Sequence, residues 1–461
     1  MKFDDSIVAL SSAYGISAVA VIRCSGTKTF SIIEKIFYQN ENTVFNTANA
    51  TYRKMYFGYI HENNKIVDEL MICLFKAPHS YTAEDLVEIY CHGSTYVQQK
   101  ILQLFLINGA RYAEAGEFTI RAYLNGKITL AKAEAIGDII HSESESAHQL
   151  AINQMRGGYI ELINQLRNQL LQFASLVELE LDFSEEDVEF ANRHQLKSLT
   201  TDIISKINEL TESFEMGNSI KNGIPVCIVG KPNAGKSTLL NALLKEEKAI
   251  VSEIPGTTRD LIEDRLTVQG MLFRIIDTAG IREAQDAIEN IGIEKAFGAI
   301  RKSSIIVYLT DVNTFSENEI NIDVQKIKNI NPKAELIVAI NKIDDCNSTL
   351  KTNIDTTFYL KLSGKNNINI DVLKQKWVDI ITEKGYNPHR TMVSNARHFN
   401  ELTCAKTYLE KVLVNIDNHH TTTDLLAEDI KAAIQHLANI TGGITNEDVL
   451  KNIFSQFCIG K

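Results

Sequence analysis

The chain has 461 residues, 44% of them hydrophobic and 23% charged, with 47 basic against 58 acidic side chains and a net charge of −11. That length holds about three domains of ordinary size, and the composition is that of a globular chain with real cores. It excludes a generic nucleic-acid coat, which neutralises phosphates with a basic surface, and no apolar run approaches the roughly 20 residues that span a bilayer.

The opening "MKFDDSIVALSSAYG" puts two acids ahead of its first apolar stretch, unlike a secretory signal, so a cytoplasmic protein with no membrane association is expected. Residues 1–120 read as an α+β domain. "AVAVIR" (18–23), "YRKMYFGYIH" (52–61), "VDELMICLF" (67–75) and "DLVEIYCHG" (85–93) are β-branched or alternating runs, "ENN" (62–64) is a turn, and 95–110 is a helix closed by Gly109. Residues 121–218 are helical: Tyr159, Ile163, Leu166, Leu170, Phe173 and Val177 recur every three or four positions, and "SEEDVEF" (184–190) is a solvated acidic turn. Residues 219–383 alternate strands and helices. "IPVCIVG" (224–230), "MLFRIID" (271–277), "SIIVYLT" (304–310), "ELIVAIN" (335–341) and "TFYLKL" (357–362) suit a mostly parallel sheet covered on both faces. Residues 384–461 return to helices, with one stripe of Phe399, Leu402, Leu409, Val412 and Ile416 and another of Leu426, Ile430, Leu437 and Ile440; Thr445 and Asp448 form a capping box for a last helix. The simplest architecture inserts the sheet domain of 219–383 into a helical domain whose two parts pack together.

"GKPNAGKS" (230–237) follows a strand and precedes the helix "TLLNALL", the context a phosphate-binding G-x-x-x-x-G-K-[ST] loop requires. Gly230 and Gly235 allow the tight loop whose N–H groups face phosphates. Lys236 brings charge to the β- and γ-phosphates, and the Ser237 hydroxyl suits Mg²⁺. Asn233, Ala234 and Thr238 complete this contact surface. "DTAG" (Asp277, Thr278, Ala279, Gly280) ends a strand, so Asp277 can reach the magnesium through water and the Gly280 N–H can face the γ-phosphate. "NKID" ends another strand: Asp344 can accept both N–H groups of a guanine edge, with Asn341 and Lys342 beside it, and "LSGK" supplies Ser363, Gly364 and Lys365 as a third base-contacting loop. Adenine presents the wrong donors to that carboxylate, so the nucleotide is GTP. A glutamine that would orient water after D-x-x-G is missing; Ile281 stands there. Hydrolysis then needs another polar group and extra positive charge.

"IPGTTRD" (254–260), "DTAGIRE" (277–283), "IENIGIEKA", "VIRCSG", "SYTAEDLVEIYCHG", "GEFTIRAYLNGKITLAKAEAI" (116–136) and the terminal "FCIGK" together resemble the bacterial tRNA-modification GTPase family MnmE (TrmE), over essentially the whole chain and in one order. The resemblance implies an N-terminal folate-binding and dimerisation domain, a discontinuous helical domain and an inserted Ras-like P-loop G domain. It also implies a homodimer that forms a heterotetramer with the FAD-containing flavoprotein MnmG (GidA), and addition of an aminomethyl-type group to C5 of the wobble uridine of certain tRNAs. The one-carbon source would be 5-formyl- or 5,10-methylene-tetrahydrofolate. Carried over residue by residue, Asn233, Thr257 and the carbonyls of Ser252 and Ile254 would bind K⁺; Ser237 and Thr258 would bind Mg²⁺; and Glu253, Pro255 and Gly256 would line the nucleotide. Glu289 would position the attacking water. Arg23, Glu84, Lys127 and Lys461 would bind folate. Pro255 and the glycine of "SGK" depart from the family's usual residues.

Seven cysteines (Cys24, Cys73, Cys91, Cys227, Cys346, Cys404, Cys458) are dispersed with no C-x-x-C pair, which argues for buried apolar packing rather than disulfides or zinc. Cys458 sits fourth from the end like a prenylated cysteine, but Gly460 and Lys461 do not suit that chemistry and no polybasic run precedes it. Two readings remain for it, a catalytic thiol beside the folate and a small packing residue. Against the family reading stand two rivals. A ribosome-assembly GTPase would carry an added RNA-binding module, and a signalling switch would leave the folate residues without a role.

Overall fold

The computed structural model describes residues 4–40, 43–182, 193–245, 263–276, 289–345, 359–387, 390–416, 423–443, 450, 453–455, 457 and 459–460. The chain divides into two compact units: 1–137 with 162–175 and 430–461, and 138–161 with 176–429.

The first unit is built on an eight-stranded sheet. Its strands are β1 (Ile7–Leu10), β2 (Ser17–Ser25), β3 (Phe37–Asn40), β4 (Thr43–Val44), β5 (Met55–Glu62), β6 (Lys65–Phe75), β7 (Leu86–Gly93) and β8 (Arg111–Tyr112). They lie in the order β4-β3-β5-β6-β7-β2-β1-β8, antiparallel throughout except for β1 beside β8. Alternation assigns the faces. Val8, Ala20, Ile22, Cys24, Ile72, Leu74, Val87, Ile89 and Cys91 are buried in one core with residues of α1 (Thr29–Ile36) and α2 (Thr95–Ile107). The intervening residues, Arg23, Ser25 and Glu88 among them, point to the other face, where Ile7 and Ala9 pack on Phe118 of α3 (Glu117–Leu124). The predicted strands at 18–23, 52–61, 67–75 and 85–93 and the helix from 95 are present. β1, α1, β3, β4, β8 and α3 are additional to them.

The end of the chain belongs to this unit. Phe454 and Phe457 are buried against Leu130 and Ala133 of α4 (Leu130–His141), Ile459 forms an antiparallel bridge with Ala115, and the Ser11 hydroxyl donates to the Gly460 carbonyl. Gly460 has φ +99°, and a Cβ there would lie 2.3 Å from the Leu10 carbonyl oxygen, so only glycine lets the tail lie so close.

In the second unit a six-stranded sheet runs β10-β11-β9-β12-β13-β14, from β9 (Ile224–Gly230), β10 (Glu263–Val268), β11 (Met271–Ile276), β12 (Ile305–Asp311), β13 (Glu335–Asn341) and β14 (Leu360–Lys361). Five strands are parallel, and those at the centre are buried on both faces. β10 pairs antiparallel with β11 at the edge and was not predicted. Its sequence, EDRLTV, is half charged, as edge strands often are. Helices α9 (Lys236–Lys245), α10 (Glu289–Lys302), α11 (Glu317–Ile330) and α12 (Ile370–Glu383) alternate with these strands.

This sheet is inserted between helices that pack on each other. α7 (Arg193–Glu212) lies along α13 (Ala396–Ile416), and Phe214 of α8 (Phe214–Asn222) stacks on Phe399 at 4.4 Å. Leu402, Leu409 and Val412 form the buried stripe with Ala405 between them; Phe399 and Ile416 at the ends are half-buried. Leu426, Ile430, Leu437 and Ile440 of α14 (Thr423–Thr441) are all buried. After α5 (Glu145–Met155), in α6 (Gly158–Asp182), Tyr159, Ile163, Leu166, Leu170 and Val177 are buried as expected; Phe173 is half-buried, and Ala174 beside it is buried. The Thr445–Asp448 capping box and the acidic run 184–190 lie outside the described residues. Among those described, no helix is long and apolar enough to cross a membrane.

Candidate functional site

The phosphate loop connects β9 to α9 at the carboxyl edge of the parallel sheet, where open α/β sheets bind ligands. Asn233 is exposed in the left-handed region at φ +63°, which asparagine tolerates better than most side chains. Gly235, at φ +93°, could not carry a Cβ: the atom would lie 2.3 Å from Asn341 Nδ2. Lys236 folds its ammonium across the loop, donating to the carbonyls of Gly230 at 2.8 Å and Lys231 at 2.9 Å, and burial lowers its pKa. Ser237 and Thr238 follow in the first turn of α9.

Asn341 is the hub of the site. Only 2% exposed, it donates through Nδ2 to the Ala234 carbonyl at 2.9 Å and accepts through Oδ1 from the Gly364 N–H at 3.0 Å. One side chain thus ties the phosphate loop, the NKID loop and the SGK loop together. Ser363 donates to Asp344 Oδ1, joining the two base-contacting loops a second time. A Cβ on Gly364 would lie 3.1 Å from the backbone N and Cα of Leu239, so glycine lets this loop settle against α9. Lys342, at φ +64°, pairs with Asp311 at 2.7 Å. Lys365 is exposed.

The structure therefore brings together Asn233, Ala234, Gly235, Lys236, Ser237, Asn341, Lys342, Asp344, Ser363 and Gly364 around one edge. Ser252, Glu253, Ile254, Pro255, Gly256, Thr257, Thr258, Asp277, Thr278, Ala279 and Gly280 lie outside the described residues. The backbone of Glu289 opens α10; its side chain is also outside them.

In the first unit Arg23 lies opposite Glu88 across β2 and β7 and donates to Glu88 Oε1 from Nε at 3.1 Å and Nη2 at 2.6 Å. Its guanidinium sits over the rings of Tyr81 and Phe118, and Nη1 donates to the Gly460 carbonyl at 3.5 Å. Two residues along the same strand face, Ser25 donates to Glu84 Oε2 at 2.8 Å. Glu84 also accepts from Arg121, whose side chain is fully buried and binds Asp5 and Glu117 as well. Asp5 and Glu117 have lowered pKa values: burial opposes ionisation, and hydrogen bonds from Arg111 and Arg121 outweigh it. Glu84 and Arg121 wall a cavity of about 390 Å³ with Asp4, Thr27, Lys76, Asp85 and Asn125. Lys127 is exposed in the turn after α3, and Asn125 ties that turn to the Thr82 carbonyl at 2.7 Å. Cys458 and Lys461 lie outside the described residues, although Phe457, Ile459 and Gly460 bring the tail to the side of the sheet that carries Arg23. Sequence reasoning missed Glu88 and Arg121. The signal for Arg121 was present, because Glu117 and Arg121 stand four apart beside the apolar Phe118 and Ala122, the pattern of an ion pair that a core encloses.

Of the cysteines, Cys24, Cys73, Cys91 and Cys227 are buried and Cys404 is exposed. Burial pushes the thiols of Cys24 and Cys227 up to about 12 and that of Cys91 to about 11, the behaviour of packing groups rather than nucleophiles.

A phosphate loop after a buried parallel strand, locked by a buried asparagine to two base-contacting loops, defines a P-loop GTPase domain of the Ras-like class. Two family models match the chain: the MnmE helical domain over residues 130–458 and the GTP-binding protein TrmE N-terminus over 6–127. The tRNA modification GTPase MnmE of Cytophaga hutchinsonii is 50% identical over 460 residues, covering 99% of this chain and 98% of that one. The protein of the same name from Christiangramia forsetii is 46% identical over 477 residues and covers all of both chains. A crystal structure of an Era variant from Aquifex aeolicus, bound to GDP.AlF4-, is 26% identical, spans 40% of this chain and 65% of that one, and has a TM-score of 0.27. The chain belongs to the MnmE family of tRNA modification GTPases, and its reaction is GTP hydrolysis in tRNA modification. Neither rival reading, ribosome assembly or a bare signalling switch, fits that membership.

Proposed function

We propose that this chain is the K⁺-stimulated GTPase subunit of an enzyme that, with the FAD-containing flavoprotein MnmG, adds an aminomethyl-type group to C5 of the wobble uridine, drawing the carbon from 5-formyl- or 5,10-methylene-tetrahydrofolate. It acts as a cytoplasmic homodimer within a heterotetramer. The observation that carries the cation reading is Asn233: its left-handed backbone presents a neutral amide oxygen from the phosphate loop, in a chain whose glutamine position holds Ile281. Such an oxygen suits an alkali cation, and the Ser237 hydroxyl at the start of α9 suits Mg²⁺. Thr257 and the carbonyls of Ser252 and Ile254 would complete the K⁺ set, and Thr258 the Mg²⁺ set. Bound there, the two cations would supply positive charge to the transferring phosphoryl group.

The chain's own groups do the rest. Loop N–H groups and Lys236 hold the β- and γ-phosphates. Asp344, backed by Ser363, accepts the guanine edge. Glu289 orients the water that attacks the γ-phosphorus as the bond to the β-phosphate oxygen breaks. In the first unit Glu84 offers a carboxylate to the donor edge of a pterin, while Arg23, Lys127 and Lys461 offer cations to the glutamate carboxylates of the folate. The GTP cycle opens and closes the G domains and so gates this chemistry.

The test is the rate of GTP hydrolysis in K⁺ and in Na⁺ at equal ionic strength. Far faster turnover in K⁺, with the difference lost in Asn233→Ala, is expected. Equal rates for the unaltered chain would reject the cation reading.

A further inference from the structure

We infer that Asp311 is a positioning residue for the nucleotide: through its ion pair with Lys342 it holds that side chain stretched across the mouth of the site, so that the methylene stem forms a wall for one face of the purine. The inference rests on the reading of Lys342 as a nucleotide contact. Asp311 is the last residue of β12, at the carboxyl edge where the phosphate loop and the NKID loop also begin. Its two carboxylate oxygens have separate duties. Oδ1 accepts from the Asn313 N–H at 2.9 Å and closes the turn that leaves the strand; Oδ2 accepts from Lys342 Nζ at 2.7 Å. The carboxylate is 15% exposed and the lysine 35%, so the pair sits at the rim rather than in open solvent.

The path of the lysine between its two ends matters most. Its backbone is fixed in the left-handed region, one residue after the buried Asn341. Its Cε lies 4.0 Å from where a Cβ on Gly235 would stand, so the stem runs along the phosphate loop. With Asp344 two residues on to read the edge of the base, that stem offers an apolar surface to the plane of the ring. A lysine stem is otherwise rotamer-rich, and ordering it only when nucleotide arrives costs affinity. An exposed ion pair contributes little to folding; here its use is to order the stem beforehand.

Asp311→Asn separates this role from the turn, because the amide oxygen can still accept from Asn313 while the charge that holds Lys342 is gone. Binding of fluorescent GTP and GDP to the full chain is measured for Asp311→Asn, Lys342→Met and the double variant. Ordering one long side chain corresponds to about threefold to tenfold in affinity. Asp311→Asn is expected to weaken GTP and GDP alike by that factor, with the larger part of the kinetic loss in KM rather than kcat. Lys342→Met keeps a stem but no charge, so the double variant should bind no more weakly than Lys342→Met alone. Unaltered affinity in Asp311→Asn, or a full additional loss in the double variant, overturns the inference. A Lys342→Ala variant that binds as the unaltered chain does would instead reject the lysine as a nucleotide contact, and the inference with it.

Discussion

Replacing Asn341 by alanine tests whether one buried amide holds the guanine site together. The substitution deletes two buried hydrogen bonds in one step, 2.9 Å to the Ala234 carbonyl and 3.0 Å from the Gly364 N–H. Each buried group stripped of its partner costs about 1–3 kcal/mol, so the two together cost about 2–6 kcal/mol. That cost falls on the joint arrangement of three loops rather than on the sheet beneath them, whose strands keep their own ladders. Even the lower figure corresponds to roughly 30-fold in an equilibrium constant. Titration of fluorescent GTP and GDP should therefore show both nucleotides weakened by about 30-fold or more, with the thermal unfolding midpoint of the nucleotide-free chain changed much less. Affinity within about threefold of the unaltered chain, a difference well below that lower figure, would show that the three loops hold their places without this side chain.

Three further outcomes follow from the same structure. Glu289→Ala should leave GTP binding within a few-fold while slowing turnover by about 10²-fold or more, the loss for a misplaced catalytic group; wild-type turnover would assign the water to another residue. Cys458→Ser should preserve folding, dimerisation and K⁺-stimulated hydrolysis yet fail to restore wobble-uridine modification in a deletion strain, since serine nearly keeps the size of cysteine but is a far weaker nucleophile; full restoration would leave packing as its role. The pKa values of Asp5 and Glu117 are depressed from 3.8 and 4.5, so the stability they contribute is complete above those values and is lost as pH falls through the folded-state values. Unfolding midpoints followed from about pH 6 down to about pH 3 should drop more steeply for the unaltered chain than for Asp5→Asn with Glu117→Gln, and parallel curves would remove this network from the acid response.

What the sequence made legible was local. A phosphate loop needs glycines and a lysine at fixed spacing between a strand and a helix, so "GKPNAGKS" could be read without knowing any distant contact. Asn341 was expected as a contact to the base; its place between Ala234 and Gly364 depends on two segments 107 and 23 residues away. Arg23 was found only through the family resemblance, and its partner Glu88 depends on the register of β2 on β7, which alternation alone does not set. α1 was missed because its short apolar run suits a buried strand or a helix equally.

The docked tail also governs when the first unit can be finished. The hydrogen bond from Ser11 to Gly460 joins residues 449 positions apart, and the bridge from Ala115 to Ile459 is nearly as distant in the chain. A chain grows from its N-terminus at about 5–20 residues per second. The eight-stranded sheet, complete by Tyr112, is therefore available to fold long before the residues that pack on Leu130 and cap Arg23 have been made. Their contacts on that face can form only after the sheet itself is available. A chain cut short by a few residues would keep its nucleotide loops and its sheet, yet it would lack the strand partner of Ala115 and the carbonyl that Ser11 and Arg23 share. Docking of Phe454, Phe457, Ile459 and Gly460 thus ties late-made segments to the first strands of the chain, on the face where the one-carbon chemistry is proposed to occur.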